Sequence, residues 1–341
     1  MNHSKLAWLF VLLVAFLSSC DKESDCCAQP ASSKSVVASI GITGDTTDVQ
    51  TTTQFGVVLM GGSTDVDEAI KWMIDKSGGG DFLIIRAGGS TGYNDYIKEL
   101  GNVNSVETLL IDSREKANLP EVRKKIRNAE AVFIAGGDQS NYVNFWNDTE
   151  VSKAIHYLVT TKRVPIGGTS AGCAVLSEYC FDAKNGGVTS EEALTDPYGN
   201  LVSISKSFIA IPVLTNVIAD QHYSQRTRQG RHIVFLARLM KDFKLIDPVG
   251  IGVDEKTAVA VEADGSTKVF GTNMAHFLFP ASNPEQCEPN QKLNWEKNGR
   301  AIAVYSIQGN PAGTSGINLP NKPVSLPTKY YSVSNGLLKS E

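Results

Sequence analysis

The sequence predicts an α/β fold built on a mostly parallel sheet sandwiched by helices. Three observations predict it. From residue 55 short apolar runs alternate with longer amphipathic stretches. The runs are apolar at nearly every position, as strands covered on both faces are. Four of them end in glycine pairs: Gly61-Gly62, Gly88-Gly89, Gly136-Gly137 and Gly167-Gly168. With 42% of 341 residues hydrophobic and 20% charged, the chain can bury a sizeable core. A net charge of -4 gives no reason to expect nucleic acid as a partner.

The N-terminus stands apart. Lys5 precedes an apolar run over residues 6–17, too short to span a bilayer, and Leu17-Ser18-Ser19-Cys20 follows. A cationic start, a short apolar stretch and small residues before a cut site make a signal peptide. The closing cysteine resembles the lipobox of bacterial lipoproteins, whose thiol takes the lipid after cleavage; a plain secretory signal is the alternative. Residues 21–50, rich in Ser, Thr and Asp, read as a solvated tether. The expected organisation is a leader over 1–20, a tether over 21–50 and a single domain over 51–341, exported and membrane-anchored at the periplasmic or cell surface.

Residues 55–60 read as a buried strand, which Gly61-Gly62-Ser63 turns into a helix over 66–76. Residues 81–86 and 106–112 are strand-like, each followed by a helical stretch, over 93–100 and 119–128. Residues 131–135 form another strand, and 140–161 hold one long or broken helix. A strand from Val164 leads to a helical run over 173–179, and an apolar strand from Val217 precedes a helix over 233–240. Residues 249–253 and 257–263 are strands, 263–266 a turn and 267–271 its return strand. Residues 280–290 and 309–327, rich in Pro, Gly and Asn, read as surface loops. In open α/β sheets ligands sit beyond the carboxyl ends of the strands, so the glycine pairs point to one common site.

Six cysteines invite a disulfide reading, but Cys20 belongs to the leader and Cys26-Cys27 to the tether. Cys173, Cys180 and Cys287 make no even-numbered framework. No CxxC pair or histidine cluster suggests a metal, and no cofactor is expected.

The strongest chemical signal is Gly168-Thr169-Ser170-Ala171-Gly172 between a short strand and a helix. This is a nucleophile elbow: the flanking glycines let the chain turn sharply enough to hold Ser170 clear of the backbone. The N–H of Ala171, with that of Gly137 as second donor, is placed for an oxyanion. Of five histidines, His3 lies in the leader, His156 and His276 read as packed side chains, and His232 as a cap or surface residue. His222 remains as the base, where an apolar strand breaks into polar residues. Behind it stand Gln221, Arg226, Arg228 and Arg231. For any one arginine a solvated charge is the plainer reading, but three beside one histidine favour a substrate bearing carboxylates. The carboxylate that orients the imidazole stays open among Glu191, Glu192, Asp220, Asp254 and Glu255.

These residues resemble the serine peptidase family that includes cyanophycinase and aspartyl dipeptidase. The resemblance rests on Gly167-Gly-Thr-Ser-Ala-Gly172, Gly136-Gly-Asp-Gln139, the segment from Asp220 to Arg231, and Gly250-Ile-Gly-Val-Asp-Glu255. It implies a flavodoxin-like or class I glutamine amidotransferase-like fold and hydrolysis through an acyl-enzyme. Ser170 is then nucleophile, His222 base, and Glu192, chosen over Glu191, the relay carboxylate. Gln139, Asp220, Gln221, Arg226, Arg228 and Arg231 would line an aspartate-recognising pocket.

Cyanophycinase cleaves β-Asp-Arg dipeptides from a poly-aspartate chain with arginine side groups. Expected partners are therefore an aspartate-containing peptide or cyanophycin-like polymer, the membrane through the N-terminal lipid only, and, as an open option, a second copy in a homodimer. Cys173 stands where alanine is common, and the leader argues for scavenging outside the cytoplasm over storage-granule turnover. A short-chain aspartyl or isoaspartyl dipeptidase and a catalytically silent binding lipoprotein are the alternatives. From Thr267 onward no motif is interpretable.

Overall fold

Strands that are apolar on both sides need cover on both sides, and alternate residues of the central strands enter two different cores. The computed structural model describes residues 37–319, 321, 323 and 325–341. The expected leader with Cys20, and the tether as far as residue 36, lie outside the described residues.

The chain begins with β1 (Ser39–Gly44), β2 (Gly56–Met60), α1 (Asp67–Lys76), β3 (Phe82–Arg86), α2 (Gly92–Leu100) and β4 (Ser105–Leu110). It continues through α3 (Arg114–Ala117), α4 (Pro120–Asn128), β5 (Ala131–Ile134), α5 (Gln139–Trp146), α6 (Glu150–Tyr157), β6 (Pro165–Thr169) and α7 (Ala171–Leu176). Strands β4, β3, β5, β6 and β2 lie side by side in parallel, so their carboxyl ends share one edge. Val58, Met60, Ile84 and Phe133 pack with Ile70 and Met73 of α1 and Ile97 of α2. Their neighbours Val57, Leu59, Ile85 and Ile134 face the other way, onto Val122 and Ile126 of α4, Trp146 of α5 and Val175 of α7.

The second half contains β7 (Tyr179–Phe181), α8 (Ser190–Thr195), β8 (Ile204–Lys206), β9 (Val217–Asp220), α9 (Gln229–Asp242), β10 (Val249–Val253) and β11 (Thr257–Glu262). β12 (Ser266–Gly271), β13 (Met274–Pro280), β14 (Ile302–Gln308), β15 (Thr314–Asn318), β16 (Lys329–Ser334) and β17 (Leu337–Ser340) complete it. β11, β12 and β15 extend the first sheet beyond β2, each antiparallel to the strand before it in the sheet. The remaining strands form a second sheet, ordered β17-β16-β14-β13-β10-β9-β7-β8, in which β9 is parallel to β10 and to β7 and the other pairs run antiparallel.

The fold is thus mixed α/β with helix-flanked sheets, and the expectation of a mostly parallel sheet is correct only for the centre of the first. The reason is connection length. Parallel neighbours need a long crossover, whereas the Glu262-to-Ser266 link is short enough to give only a hairpin, and the Gly271-to-Met274 link carries the chain at once from β12 into the second sheet.

Three local expectations also change. Residues 39–44, expected within the tether, form β1, which pairs along β4, and its one-sided edge position tolerates the polar composition that reads as solvated. The loop expected over 309–327 contains β15, another edge strand. The helix expected to reach Tyr179 ends at Leu176, and Tyr179 opens β7. The stretch 140–161 is broken as expected, at Asn147-Asp148, where Asp148 takes a φ of 54°.

Helix α7 packs so closely on the end of β5 that a Cβ on Gly172 would sit 2.1 Å from the Ile134 carbonyl oxygen. Backbone on both sides cannot yield as a side chain would. Gly172→Ala should therefore cost about 2–3 kcal/mol or more of stability by urea unfolding, and an unchanged midpoint would refute this packing.

Candidate active site

Ser170 lies between the end of β6 and the start of α7, with φ 52° and ψ −114°, a conformation L-residues avoid. Such strain persists only where neighbours impose it. Here Ser170 N donates to Met60 O at 3.0 Å, prolonging the β2–β6 ladder, while Ala174 N donates to Ser170 O at 3.1 Å in the first turn of α7.

His222 follows β9, also at positive φ (46°), and its N donates to Gly61 O at 2.8 Å. Its Nε2 is 2.8 Å from Ser170 Oγ and its Nδ1 is 2.7 Å from Glu255 Oε1. An ionised carboxylate only accepts, so Nδ1 carries the proton and Nε2 accepts from the serine hydroxyl. The close approach requires glycine at 62: with φ at 98°, a Cβ there would fall 2.5 Å from His222 Cε1 and 3.1 Å from Ser170 Cβ. Burial pushes the imidazole pKa down, the Glu255 hydrogen bond opposes this, and Arg226 and Arg228 add to the lowering, leaving it below the ordinary histidine value.

Beside Ser170 opens a cavity of about 260 Å³ whose walls include Gly137, Gln139, Gln221 and the three arginines. The arginines are not equivalent. Arg231 is buried and forks onto Asp220, with Nε 2.8 Å from Oδ2 and Nη2 2.6 Å from Oδ1, its guanidinium lying over Phe181 and Phe235. Burial alone would raise the Asp220 carboxyl, but Arg231 and Arg228 outweigh it and hold it below the usual carboxylate range. Arg228 Nη1 donates to Gln221 O at 2.8 Å and lies 3.5 Å from Asp220 Oδ1; burial brings it down to about 10. Arg226 is exposed on the cavity wall and has no ion pair among the described residues. Gln139 Nε2 donates to Phe181 O at 3.3 Å. The Gly136-Gly137 turn borders the serine, since a Cβ on Gly136 would stand 3.5 Å from Ser170 Cβ. Ala171 N is the first N–H of α7 and lacks an intrahelical acceptor.

A family model, Peptidase family S51, matches residues 57–269, well over half of the chain and all of this site. The chain belongs to peptidase family S51. Among curated proteins, it is 32% identical over 189 residues to a cyanophycinase of Thermosynechococcus vestitus, covering 55% of this chain and 53% of that one. It is 31% identical over 202 residues to one of Trichormus variabilis, covering 59% and 62%. The match thus spans roughly half the length of these relatives. Among solved structures, a peptidase from an acI-B1 Actinobacterium is similar with 20% identity and a TM-score of 0.49, over 67% of this chain and 91% of that one.

In this S51 chain the structure brings together Ser170, Gln139, Gln221 and Arg226 around one cavity, with His222 bonded to Ser170, but not the expected relay carboxylate. Glu192 is exposed on α8, where its Oε2 accepts from Thr189 N and Oγ1, both at 2.8 Å, in a capping box that lowers its pKa. Glu191 beside it is likewise exposed. The carboxylate on His222 is Glu255. The signal that could have found it is sheet order: β9 and β10 are parallel neighbours, so the residues just past both strands meet at one edge.

Asp220, expected in the pocket lining, is instead buried beneath it; Arg231 lines the cavity as expected, but with its charge paired to Asp220. His276 is buried as expected, His156 is exposed where packing was expected, and His232 is buried in α9, not a surface cap, with Nε2 3.1 Å from Ile218 O. Cys173, Cys180 and Cys287 are free and buried. Among the described residues no group of His, Cys, Asp and Glu is placed to hold a metal ion, and no helix is long and apolar enough to cross a membrane.

Removing one member of a buried pair leaves the other uncompensated. Arg231→Ala should therefore lose about 3–5 kcal/mol of stability through stranded Asp220, whereas Arg226→Ala should leave the urea midpoint unchanged. Equal effects of the two substitutions would contradict the assignment.

Proposed function

We propose that the chain is a serine-type peptidase that hydrolyses aspartyl peptide bonds, β-aspartyl bonds of the cyanophycin kind foremost, through an acyl-enzyme. The observation that carries this is the hydrogen-bonded series from Ser170 Oγ through His222 to Glu255 Oε1, beside a cavity walled by Arg226. Ser170 acts as the nucleophile of an elbow at the carboxyl edge of a flavodoxin-like, glutamine amidotransferase-like parallel sheet. As Oγ attacks the scissile carbonyl carbon, its proton passes to His222 Nε2, and Glu255 stabilises the imidazolium at Nδ1. The Ala171 and Gly137 N–H groups receive the oxyanion. When the intermediate collapses, His222 returns the proton to the leaving nitrogen; water then enters by the same base and cleaves the ester.

Substrate choice follows from the exposed guanidinium of Arg226, with Gln139 and Gln221 beside it, which suit a substrate carboxylate. The cyanophycinase names of the curated relatives support the same class. The lipobox-like Leu17-Ser18-Ser19-Cys20 supports an exported protein held by a lipid on Cys20, acting on external polymer or peptide.

Release of products from β-aspartyl peptides and cyanophycin tests the mechanism. Ser170→Ala should abolish release, and Glu255→Gln should reduce kcat about a thousandfold or more while Glu192→Gln stays within about twofold of wild type. Activity retained in Ser170→Ala, or lost only in Glu192→Gln, would sink the proposed roles. The base must be neutral to accept a proton, and its pKa is depressed in the folded chain. The acid limb of kcat/KM should therefore fall at a pH below about 6.5, the ordinary imidazole value; a midpoint above it would count against His222 as base. For the anchor, Cys20→Ala should end incorporation of labelled palmitate, and continued labelling would exclude Cys20 as the lipid site.

A further inference from the structure

Glu255 meets His222 from a loop, and its side chain is 24% exposed. A carboxylate within reach of water needs something other than burial to keep it on the imidazole. The two loops that carry the pair, residues 222–225 and 253–255, are joined by a row of cross-links. Tyr223 N donates to Val253 O at 3.2 Å. Ser224 N donates to Asp254 Oδ1 at 2.8 Å, and Glu255 N donates to Gln225 Oε1 at 2.9 Å. The last two bind residues flanking His222 to Glu255 itself and to its neighbour, through side chains that take no part in proton transfer.

Asp254 is only 5% exposed, and a buried carboxylate is costly unless its oxygens are satisfied. The pairing of β10 with β13 does not call for it, since Asp254 N already donates to Met274 O at 3.1 Å. Its carboxylate is instead surrounded by polar groups. Oδ2 lies 3.4 Å from Met274 N. His276 Nε2 lies 3.7 Å from Oδ1 and 3.3 Å from Ser224 Oγ, and the ring is fixed from behind by Ser306 Oγ at 2.8 Å from Nδ1. Asn273 Nδ2 donates to Glu255 O at 2.8 Å, anchoring the same loop from β12's far end. Asp254 thus has a supported carboxylate whose shortest bond goes to the His222 loop.

We propose that Asp254 and Gln225 are positioning residues for the relay: they latch the His222 loop to the Glu255 loop, so that the carboxylate stays on Nδ1. The inference rests on the serine peptidase reading. If the latch acts through Glu255, then its loss should matter only while Glu255 has a carboxylate to position.

The test measures covalent labelling of Ser170 in the full chain by a fluorophosphonate. In that reaction Oγ bonds to phosphorus, the P–F bond breaks, fluoride leaves and the serine proton goes to His222. Asp254→Asn should slow the second-order labelling rate about tenfold or more and Gln225→Ala by a smaller factor. Neither should slow it further in the Glu255→Gln background. A downfield proton resonance from His222 Nδ1–H, visible in the wild type, should weaken or move in both single variants. Gln225 is exposed, so its variant keeps a folded protein under test even if Asp254→Asn unfolds. Slowing that multiplies with that of Glu255→Gln, or an unmoved Nδ1–H resonance, overturns the latch alone. A wild type that does not label at all overturns the serine peptidase reading, and the latch with it.

Discussion

The hydrogen bond from His222 N to Gly61 O joins the two sheets at the point where Ser170, His222 and Glu255 meet. Ser170 belongs to the first sheet, at the end of β6; His222 belongs to the second, at the end of β9. Glu255 stands on the connection by which the chain passes from β10 of the second sheet to β11 of the first. That crossing is itself tied to the same glycine turn, since Gly61 N donates to Thr257 O and Lys256 N to Gly62 O. One turn, Gly61-Gly62, is therefore bonded to the backbones that carry His222 and Glu255 and stands against Ser170. Its lack of side chains is a geometric demand, because the imidazole and the serine Cβ occupy the space a Cβ at 62 would need.

This arrangement explains why strain collects where it does. Ser170, His222 and Lys256 all take positive φ, at 52°, 46° and 55°. Each lies within three residues of the end of a strand, where the chain must leave its ladder at once to stay near the junction. Positive φ costs of order a kilocalorie per mole or more for each such residue, and the ladder bonds on either side keep these residues in place. The strain is compatible with a stable protein because the central strands that carry these residues are buried on both faces.

How much of this could be read from the residues depends on the range of the interaction. The Ser170 turn is local: glycines at 168 and 172, a strand before and a helix after are all visible within ten residues or so. His222 is legible for a similar reason, as the polar break after an apolar strand. Glu255 is not, because its contact depends on β10 lying parallel beside β9, and sheet order is not written in any one segment. Glu192 looks suitable in sequence because an acidic residue three places after a threonine is equally the mark of a helix cap, which is its actual role. Edge strands β1 and β15 escape detection because one exposed side frees them from the apolar pattern that betrays central strands. The same limit applies to Arg231 and His232, whose burial depends on where α9 packs.

The separation of the arginines into different environments sharpens the substrate question. Three guanidinium groups close in sequence suggest a strongly cationic pocket. In the fold, Asp220 neutralises one of them, and a second is partly desolvated and turned onto the Gln221 carbonyl. What remains for a ligand is one exposed guanidinium, on a wall made rigid by the buried Arg231–Asp220 fork, with amide side chains nearby. A rigid wall with a single cation suits one carboxylate at a defined distance from Ser170 better than a diffuse polyanion, because fixed geometry, more than summed charge, would select it. On the proposed reading such a site would discriminate by where the carboxylate stands relative to the scissile bond, which is the property that separates a β-aspartyl linkage from an α-aspartyl one.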